Sequence, residues 1–411
     1  MAKIKNIDCH KILNSRGEWT IETEVALEDG SVGVQAVPSG ASKGENEAVY
    51  IDPEKAVEVV SDAISDALIG EDAADQEGLD KILIEMDGTP SKQHLGGNSI
   101  LSVSLAAAKA VSASRKLELF EYLGELYSGQ VKSKKDLQFP TPVFNVINGG
   151  KHAANRLSVQ EFMVIPASNM PFDKAMELGV SIYDQLEENL EKEGFGTEVG
   201  DEGGFAPSGF NVKKALDFIK KSASQVCKSG EDIFYGMDAA AESFYMPQKE
   251  EYFIVEEGLH LDTSGLSEYY EKLLKKFEII YLEDPFYEKD EIGWSSFYKK
   301  HNKDLMIVAD DLAVTNTKYL KNSIHKNLAN AVIVKPNQVG TLTETLEFIK
   351  MAKENNMKIV LSHRSGDIGE DTFIADLALA VDSEFIKSGA PARGERVVKY
   401  NRLLDIFYSI E

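Results

Sequence analysis

Cysteine is nearly absent from this chain. Only Cys9 and Cys227 occur, far apart and without Cys-x-x-Cys spacing, which excludes a disulfide framework and a thiolate metal site and leaves both as small buried hydrophobes. Long apolar runs are missing too. No stretch approaches the roughly 20 residues that span a bilayer, and Met1-Ala2-Lys3-Ile4-Lys5 leads into polar residues instead of an apolar segment. A cytoplasmic protein without a membrane span is the expectation. Positive charge is scarce: 44 Lys and Arg stand against 68 Asp and Glu, a formal net charge of -24. Such a field repels nucleic acid and anionic membranes and favours small cations such as metal ions. An anionic substrate would then need local lysines, an arginine or bound divalent ions. No short-period repeat is evident. The small-residue loop Pro38-Ser39-Gly40-Ala41-Ser42-Lys43-Gly44 is suited to opening and closing over a site, but lacks the Gly-Lys-Ser/Thr ending of a nucleotide P-loop.

What is present is an ample core. Hydrophobic content of 43% and charged content of 27% over 411 residues describe a folded protein too long for one ordinary domain. Ile4 to Leu13, Thr20 to Leu27 and Val32 to Val37 alternate like an antiparallel meander, with Glu28-Asp29-Gly30-Ser31 as a turn. Helical patterns follow over Pro53 to Leu68 and Asn98 to Ser114. The polar, lysine-rich segment Gly129 to Phe139, closed by Pro140-Thr141-Pro142, marks a boundary. The expected division is an α+β unit at 1–138 and a barrel at 139–411.

Six short apolar runs in the later part each stop on an ionisable residue. Ile233 to Met237 stops at Asp238, Ile279 to Leu282 at Glu283, Leu305 to Ala309 at Asp310, Ala331 to Val334 at Lys335, Lys358 to Ser362 at His363, and Glu384 to Ile386 at Lys387. Runs this short, without amphipathic period, read as strands buried on both faces. Helical stretches such as Lys214 to Lys228, Ser267 to Lys276, Leu342 to Asn355 and Asp371 to Val381 separate them. The fold class is therefore α/β, a (β/α) barrel whose site is assembled at the carboxyl ends of its strands.

Three carboxylates on successive strand ends repel one another unless a cation joins them, and oxygen ligands of this kind suit magnesium. Spacing leaves Asp310 and Asp311 open as alternatives, and Asp284 lies beside Glu283. A lysine closing a buried strand is costly unless paired or functional, and burial beside other cations would lower its pKa toward that of a general base. His152 and His363 carry weaker signals, because histidine also satisfies loop carbonyls. Glycines around Glu202 (Val199 to Phe205) and before His152 (Asn148 to Lys151) let backbone approach a ligand.

These segments closely resemble the enolase family along the whole chain. The resemblance is carried by Ser15-Arg16-Gly17, Val37 to Ser42, Gln160-Glu161-Phe162-Met163, Gly200 to Phe205, Glu283-Asp284-Pro285-Phe286, Asp310-Asp311-Leu312, Lys335 with Asn337-Gln338, Ser362 to Gly366 and Lys387 to Arg393. It implies an α+β amino-terminal domain on a modified (β/α)8 barrel. The implied activity is reversible dehydration of 2-phosphoglycerate to phosphoenolpyruvate, in glycolysis and gluconeogenesis. The chemistry builds a second negative charge beside a carboxylate, so stabilising that charge is the main task. By resemblance, Asp238, Glu283 and Asp310 bind a first Mg2+, Lys335 is the base, and Glu202 supported by Glu161 is the acid. Lys387, His152, Gln160 and His363 contact substrate, and Arg364 with Ser365 takes the phosphate. Ser42 helps hold a second, substrate-dependent Mg2+. A homodimer or an octamer of dimers is implied. Departures from the family pattern are Lys43, Asn14, Glu18-Trp19, Gln35, and a turn one residue longer at Asp367-Ile368-Gly369-Glu370-Asp371. Competing expectations are another lyase or racemase of the superfamily, and an idle paralogue with a structural or binding role.

Overall fold

Alternating inward and outward side chains carry the first three strands, β1 (Ile4–Leu13), β2 (Trp19–Leu27) and β3 (Val32–Ala36), which pair antiparallel in that order. In the computed structural model, which describes residues 2–40 and 44–410, Ile21, Thr23, Val25 and Leu27 of β2 all point into the core. Five helices cover this sheet and its flank: α1 (Pro53–Val59), α2 (Ser65–Leu68), α3 (Gln76–Asp87), α4 (Gly97–Ser114) and α5 (Leu119–Ser128). The stretch expected as one helix from Pro53 forms α1 and α2 joined through a wider π turn at Val60–Ile64, started by the Asp52 carboxylate accepting from Glu54 N–H at 2.9 Å. Alanine richness gives α4 its place. Its backbone lies so close to β3 that a Cβ on Gly33 would stand 2.1 Å from the Ala106 carbonyl oxygen and 2.2 Å from the Ala110 nitrogen.

The later strands close a barrel: β4 (Thr141–Asn148), β5 (Glu161–Pro166), β6 (Ile233–Asp238), then, after a surface meander of β7 (Tyr245–Met246), β8 (Glu251–Ile254) and β9 (Leu259–Leu261), the strands β10 (Ile279–Glu283), β11 (Met306–Ala309), β12 (Ala331–Val334), β13 (Lys358–Ser362) and β14 (Phe385–Gly389). Their order around the barrel is β10-β11-β12-β13-β14-β4-β5-β6. Pairing is parallel except at β5, antiparallel to both β4 and β6. Around it pack α6 (Phe172–Lys192), α7 (Val212–Val226), α8 (Thr263–Leu274), α9 (Glu291–His301), α10 (Thr317–Lys326), the short α11 (Pro336–Val339), α12 (Leu342–Glu354), α13 (Phe373–Ala380) and α14 (Gly394–Ile410). The chain is thus a mixed α/β protein, a sheet with helices preceding an eight-stranded barrel that runs β-β-α-α before its β-α units. A fully buried layer of Val143, Met163, Ile165, Tyr281, Val308, Ile333 and Val360 fills the interior.

Two expectations need correction. Cys9 and Cys227 are free thiols, as expected, but only half-buried. The last barrel strand does not stop at Lys387; it continues to Gly389, with Lys387 paired to Ser362 on one side and Val143 on the other. No helix among the described residues is long and apolar enough to cross a membrane.

Candidate active site

Strand register brings the carboxylates together. Asp238 is the register partner of Glu283 on one side and of Glu161 on the other. Glu161 reaches this rim from the start of its strand, because β5 runs the other way. Asp310 and Lys335 follow β11 and β12 directly, and His363, Arg364 and Ser365 follow β13. Every one of these side chains is buried except Lys335, which is half-buried. The rim is also where backbone strain gathers. Ala240, Asp284, Val314 and Thr315, just beyond β6, β10 and β11, take φ of 43°, 39°, 41° and 51°, a region that β-branched residues scarcely visit.

Two lysines hold the acids in place. Lys387 Nζ lies 2.8 Å from Glu283, 3.1 Å from Glu161 and 3.4 Å from Asp238. Lys335 is paired with Asp310, whose other oxygen accepts from Gln338 Nε2 at 2.9 Å. Gln160 Nε2 donates to Asp238 at 3.3 Å. Burial, and then the neighbouring Asp238, push the Glu283 carboxyl up to about 7. The base-like lowering expected at Lys335 is not found. Burial, the largest single influence, works in that direction, but contact with Asp310 and the charge of Glu283 together outweigh it and raise the ammonium above its usual range.

Glu202, on the loop between α6 and α7, faces both histidines. His152 Nδ1 stands 3.4 Å from Glu202 and 3.5 Å from Glu161, and His363 Nε2 is 3.5 Å from Glu202. Asn145 Nδ2 donates to Glu202 at 3.0 Å. Burial and the Glu202 charge raise Glu161 well above the carboxylate range, whereas the histidines, acting against burial, hold Glu202 below it. Of the two, Glu161 is the carboxyl with the higher affinity for a proton. Glu202, which the resemblance implies as the acid, is thus the lowered carboxyl of the two and Glu161 the raised one.

The neighbouring aspartates Asp284 and Asp310 are engaged differently. Asp284 accepts from the backbone N–H groups of Asp310 and Asp311 at 3.0 and 2.9 Å, so both its oxygens are committed to the turn after β11. Asp284, Asp310 and Asp311 form one acidic group close enough to share a cation, and His152, Glu161 and Glu202 another. Asp238 and Glu283 are in neither group. Even so, Asp238, Glu283 and Asp310 offer hard oxygen donors beside Lys335 and Lys387, and Glu283 Oε1 is buried without a hydrogen-bond partner among the described residues. That donor set fits a hard divalent cation. Asp238, Asp310 and Asp311 also line a small cavity of about 50 Å³ with Glu242 and Glu288.

Arg364 lies deeper, its guanidinium forked on Glu47 at 3.1 and 3.3 Å and touching Asn337 Oδ1 at 3.2 Å. Ser42 and Lys43 lie outside the described residues. The longer turn after Ser365 is anchored at both ends. Asp367 is buried against Lys399 at 2.7 Å, and Asp371, just before α13, accepts from Phe373 N–H at 3.0 Å. The extra length emerges at Gly369 and Glu370, both exposed. Asn14 accepts from the N–H groups of Arg16 and Glu18 and donates to Ser39 Oγ at 2.8 Å, closing the turn before β2. Arg396 and Glu47 were not singled out from sequence. An arginine within a helix and a glutamate in a charged loop carry no local signal.

Set against known protein families, residues 4–123 match the family described as Enolase, N-terminal domain, and residues 136–410 match Enolase, C-terminal TIM barrel domain.

Proposed function

The chain belongs to the enolase family, and we propose that it is a hydro-lyase that reversibly dehydrates 2-phospho-D-glycerate to phosphoenolpyruvate and water. The observation that carries this reading is the convergence on one rim of three metal-type carboxylates, two lysines and a histidine-backed glutamate pair. Asp238, Glu283 and Asp310 would hold Mg2+, which supplies positive charge against the substrate carboxylate. Ser42 would contribute to a second site completed by substrate. Lys387 adds a fixed cation to the same end of the substrate, and Arg364 with Ser365 takes the phosphate, a task suited to the planar guanidinium.

Lys335 removes the proton on carbon 2. Of the influences on its amine, Asp310 and Glu283 raise the pKa, while burial, Arg364 and Lys387 lower it. Once the two carboxylates are engaged as ligands, the remaining influences all favour a neutral base. Glu202 protonates the departing carbon-3 hydroxyl, which leaves as water. Its partner Glu161 stores the proton, and His152 spans the two carboxylates. Gln160, His152 and His363 complete the substrate contacts. The reading includes a domain boundary at 138/139, a homodimer or larger assembly, and a cytoplasmic role in glycolysis and gluconeogenesis.

The test follows phosphoenolpyruvate absorbance from 2-phosphoglycerate, with and without Mg2+, for the wild type and Lys335→Ala. Magnesium-dependent turnover is expected, with a loss of at least about 10²-fold in the variant, the usual scale for a removed base. A folded wild type without a magnesium-dependent signal sinks the activity; full activity in Lys335→Ala sinks the base.

A further inference from the structure

Arg396, in the first turn of α14, is completely buried, yet none of the groups proposed to touch substrate is on that helix. Its guanidinium makes an unusual set of contacts. One terminal nitrogen donates to His363 Nδ1 at 2.6 Å and to the Arg364 carbonyl at 2.7 Å. The other donates to the carbonyls of Ser365 at 2.7 Å and Asp201 at 3.0 Å. Asp367 balances its charge at 3.4 Å and is itself tied to Lys399. One side chain thus joins two segments far apart in sequence, the His363-Arg364-Ser365 strand end and the loop carrying Glu202.

The contact with His363 has a chemical consequence. Guanidinium has donors and no acceptor, so the Nδ1 it touches must be the unprotonated nitrogen, and the ring proton must reside on Nε2. That Nε2 is buried, has no hydrogen-bond partner within donor geometry among the described residues, and faces Glu202 at 3.5 Å. Gly389 makes room for this arrangement. Its φ is 86°, and a Cβ there would stand 2.9 Å from Arg396 Cδ and 3.1 Å from His363 Cε1.

We propose that Arg396 is a positioning residue, which fixes His363 as the neutral Nε2–H tautomer and holds the Glu202 loop in register with the Arg364-Ser365 segment. The tautomer claim stands on geometry alone; its effect on turnover rests on the dehydratase reading above. With Arg396 in place, His363 presents a donor toward the acid and the substrate. Without it, the ring is free to turn or to move its proton to Nδ1, which would present a lone pair where a donor is needed.

The experiment is nitrogen-15 NMR of histidine-labelled protein, with the His363 ring signals assigned by their disappearance in His363→Gln. For the wild type, a proton on Nε2 and none on Nδ1 between pH 6 and 8 is expected, and a predominant Nδ1–H ring overturns the proposal. Arg396→Met should shift the ring to a mixture or to Nδ1–H. It should also lower kcat/KM by roughly 10²-fold or more, the scale seen when a catalytic histidine is misoriented or a site is displaced by about 1 Å. Arg396→Lys, which keeps one donor near Nδ1, should retain the tautomer and recover part of the rate. If Arg396→Met does not fold, Arg396→Lys and the wild-type spectrum decide the matter. An unchanged His363 spectrum in a folded Arg396→Met protein also overturns it. Tautomer results as expected in a protein that does not dehydrate 2-phosphoglycerate would sink the activity and leave the positioning of His363 standing.

Discussion

Lys387 concentrates the energetics of the site in one side chain. Its ammonium sits among Glu161, Asp238 and Glu283, all buried, in a chain whose acids outnumber its bases. Removing one partner of a buried ionic group commonly costs about 3–5 kcal/mol, because the charges left behind are neither solvated nor paired. Lys387→Met should therefore lower the thermal midpoint in EDTA. The loss should grow as pH rises. Burial raises the pKa of both Glu161 and Glu283, the latter up to about 7, so as pH falls they take up protons more readily than in the unfolded chain and repel less. Stability tied to the protonated carboxyls is present at low pH and lost as pH rises, and the penalty should be larger at pH 8 than at pH 6. Adding Mg2+ should restore part of the midpoint, since a cation bound by the same acids stabilises the folded state by mass action. Calorimetry in EDTA and in Mg2+ checks this; equal midpoints for wild type and variant in EDTA at pH 8 would refute the role given to Lys387.

At the level of elements, α3 shows how one acid can organise a following loop. Asp87, the last residue of α3, accepts from the N–H groups of Thr89, His94 and Leu95 at 3.1, 2.9 and 2.7 Å. Burial opposes its charge, but the bonds from Thr89, Leu95 and His94 prevail and lower its pKa. A depressed carboxyl contributes stability above its unfolded pKa, near 3.9, and loses it as pH falls through the folded value. Asp87→Asn should cost about 1–3 kcal/mol at pH 7, with the gap closing toward pH 3. Urea midpoints at the two pH values measure it, and an equal gap at both would exclude the ionised carboxylate as the cause. Elements of this kind also mark what could be read from sequence. The strands ending at Asp238, Glu283, Asp310, Lys335 and His363 were legible because double-sided burial leaves an unbroken apolar run. The direction of β5 was not, since alternation within a strand carries no information about its neighbours' polarity, and that direction is what delivers Glu161 to the rim. Arg396 was illegible for a related reason: in sequence it is one charged residue in a helix, and its burial depends on Asp367 and three carbonyls from other parts of the chain.

Across the whole molecule, the amino-terminal sheet and helices are joined to the barrel by contacts that surround the site. Ser39 and Gly366 exchange two backbone hydrogen bonds at 2.8 Å, Asn337 Nδ2 donates to the Pro38 carbonyl at 3.1 Å, and Glu47 occupies the fork of Arg364. Farther out, Lys92 pairs with Glu344 at 2.9 Å, and Asp80, fully buried in α3, accepts from the Thr343 backbone N–H at 2.9 Å and its hydroxyl at 2.6 Å. These are polar bonds shielded from water, so each is expensive to break singly, and they tie the unfolding of one part to that of the other. The two tryptophans allow this coupling to be measured. Trp19 lies in β2 and Trp294 in α9, one in each part. Followed separately in Trp294→Phe and Trp19→Phe backgrounds, their fluorescence should report one shared urea midpoint for the otherwise unaltered chain. Asp80→Ala leaves the Thr343 N–H buried without its acceptor and should cost roughly 1–3 kcal/mol. With that link removed, the Trp19 transition should move to lower urea than the Trp294 transition, because the smaller part has less buried apolar area of its own to hold it together. Midpoints that still coincide and are unshifted in Asp80→Ala would mean that the other contacts, those around Arg364 and Gly366 and the Lys92–Glu344 pair, carry the coupling.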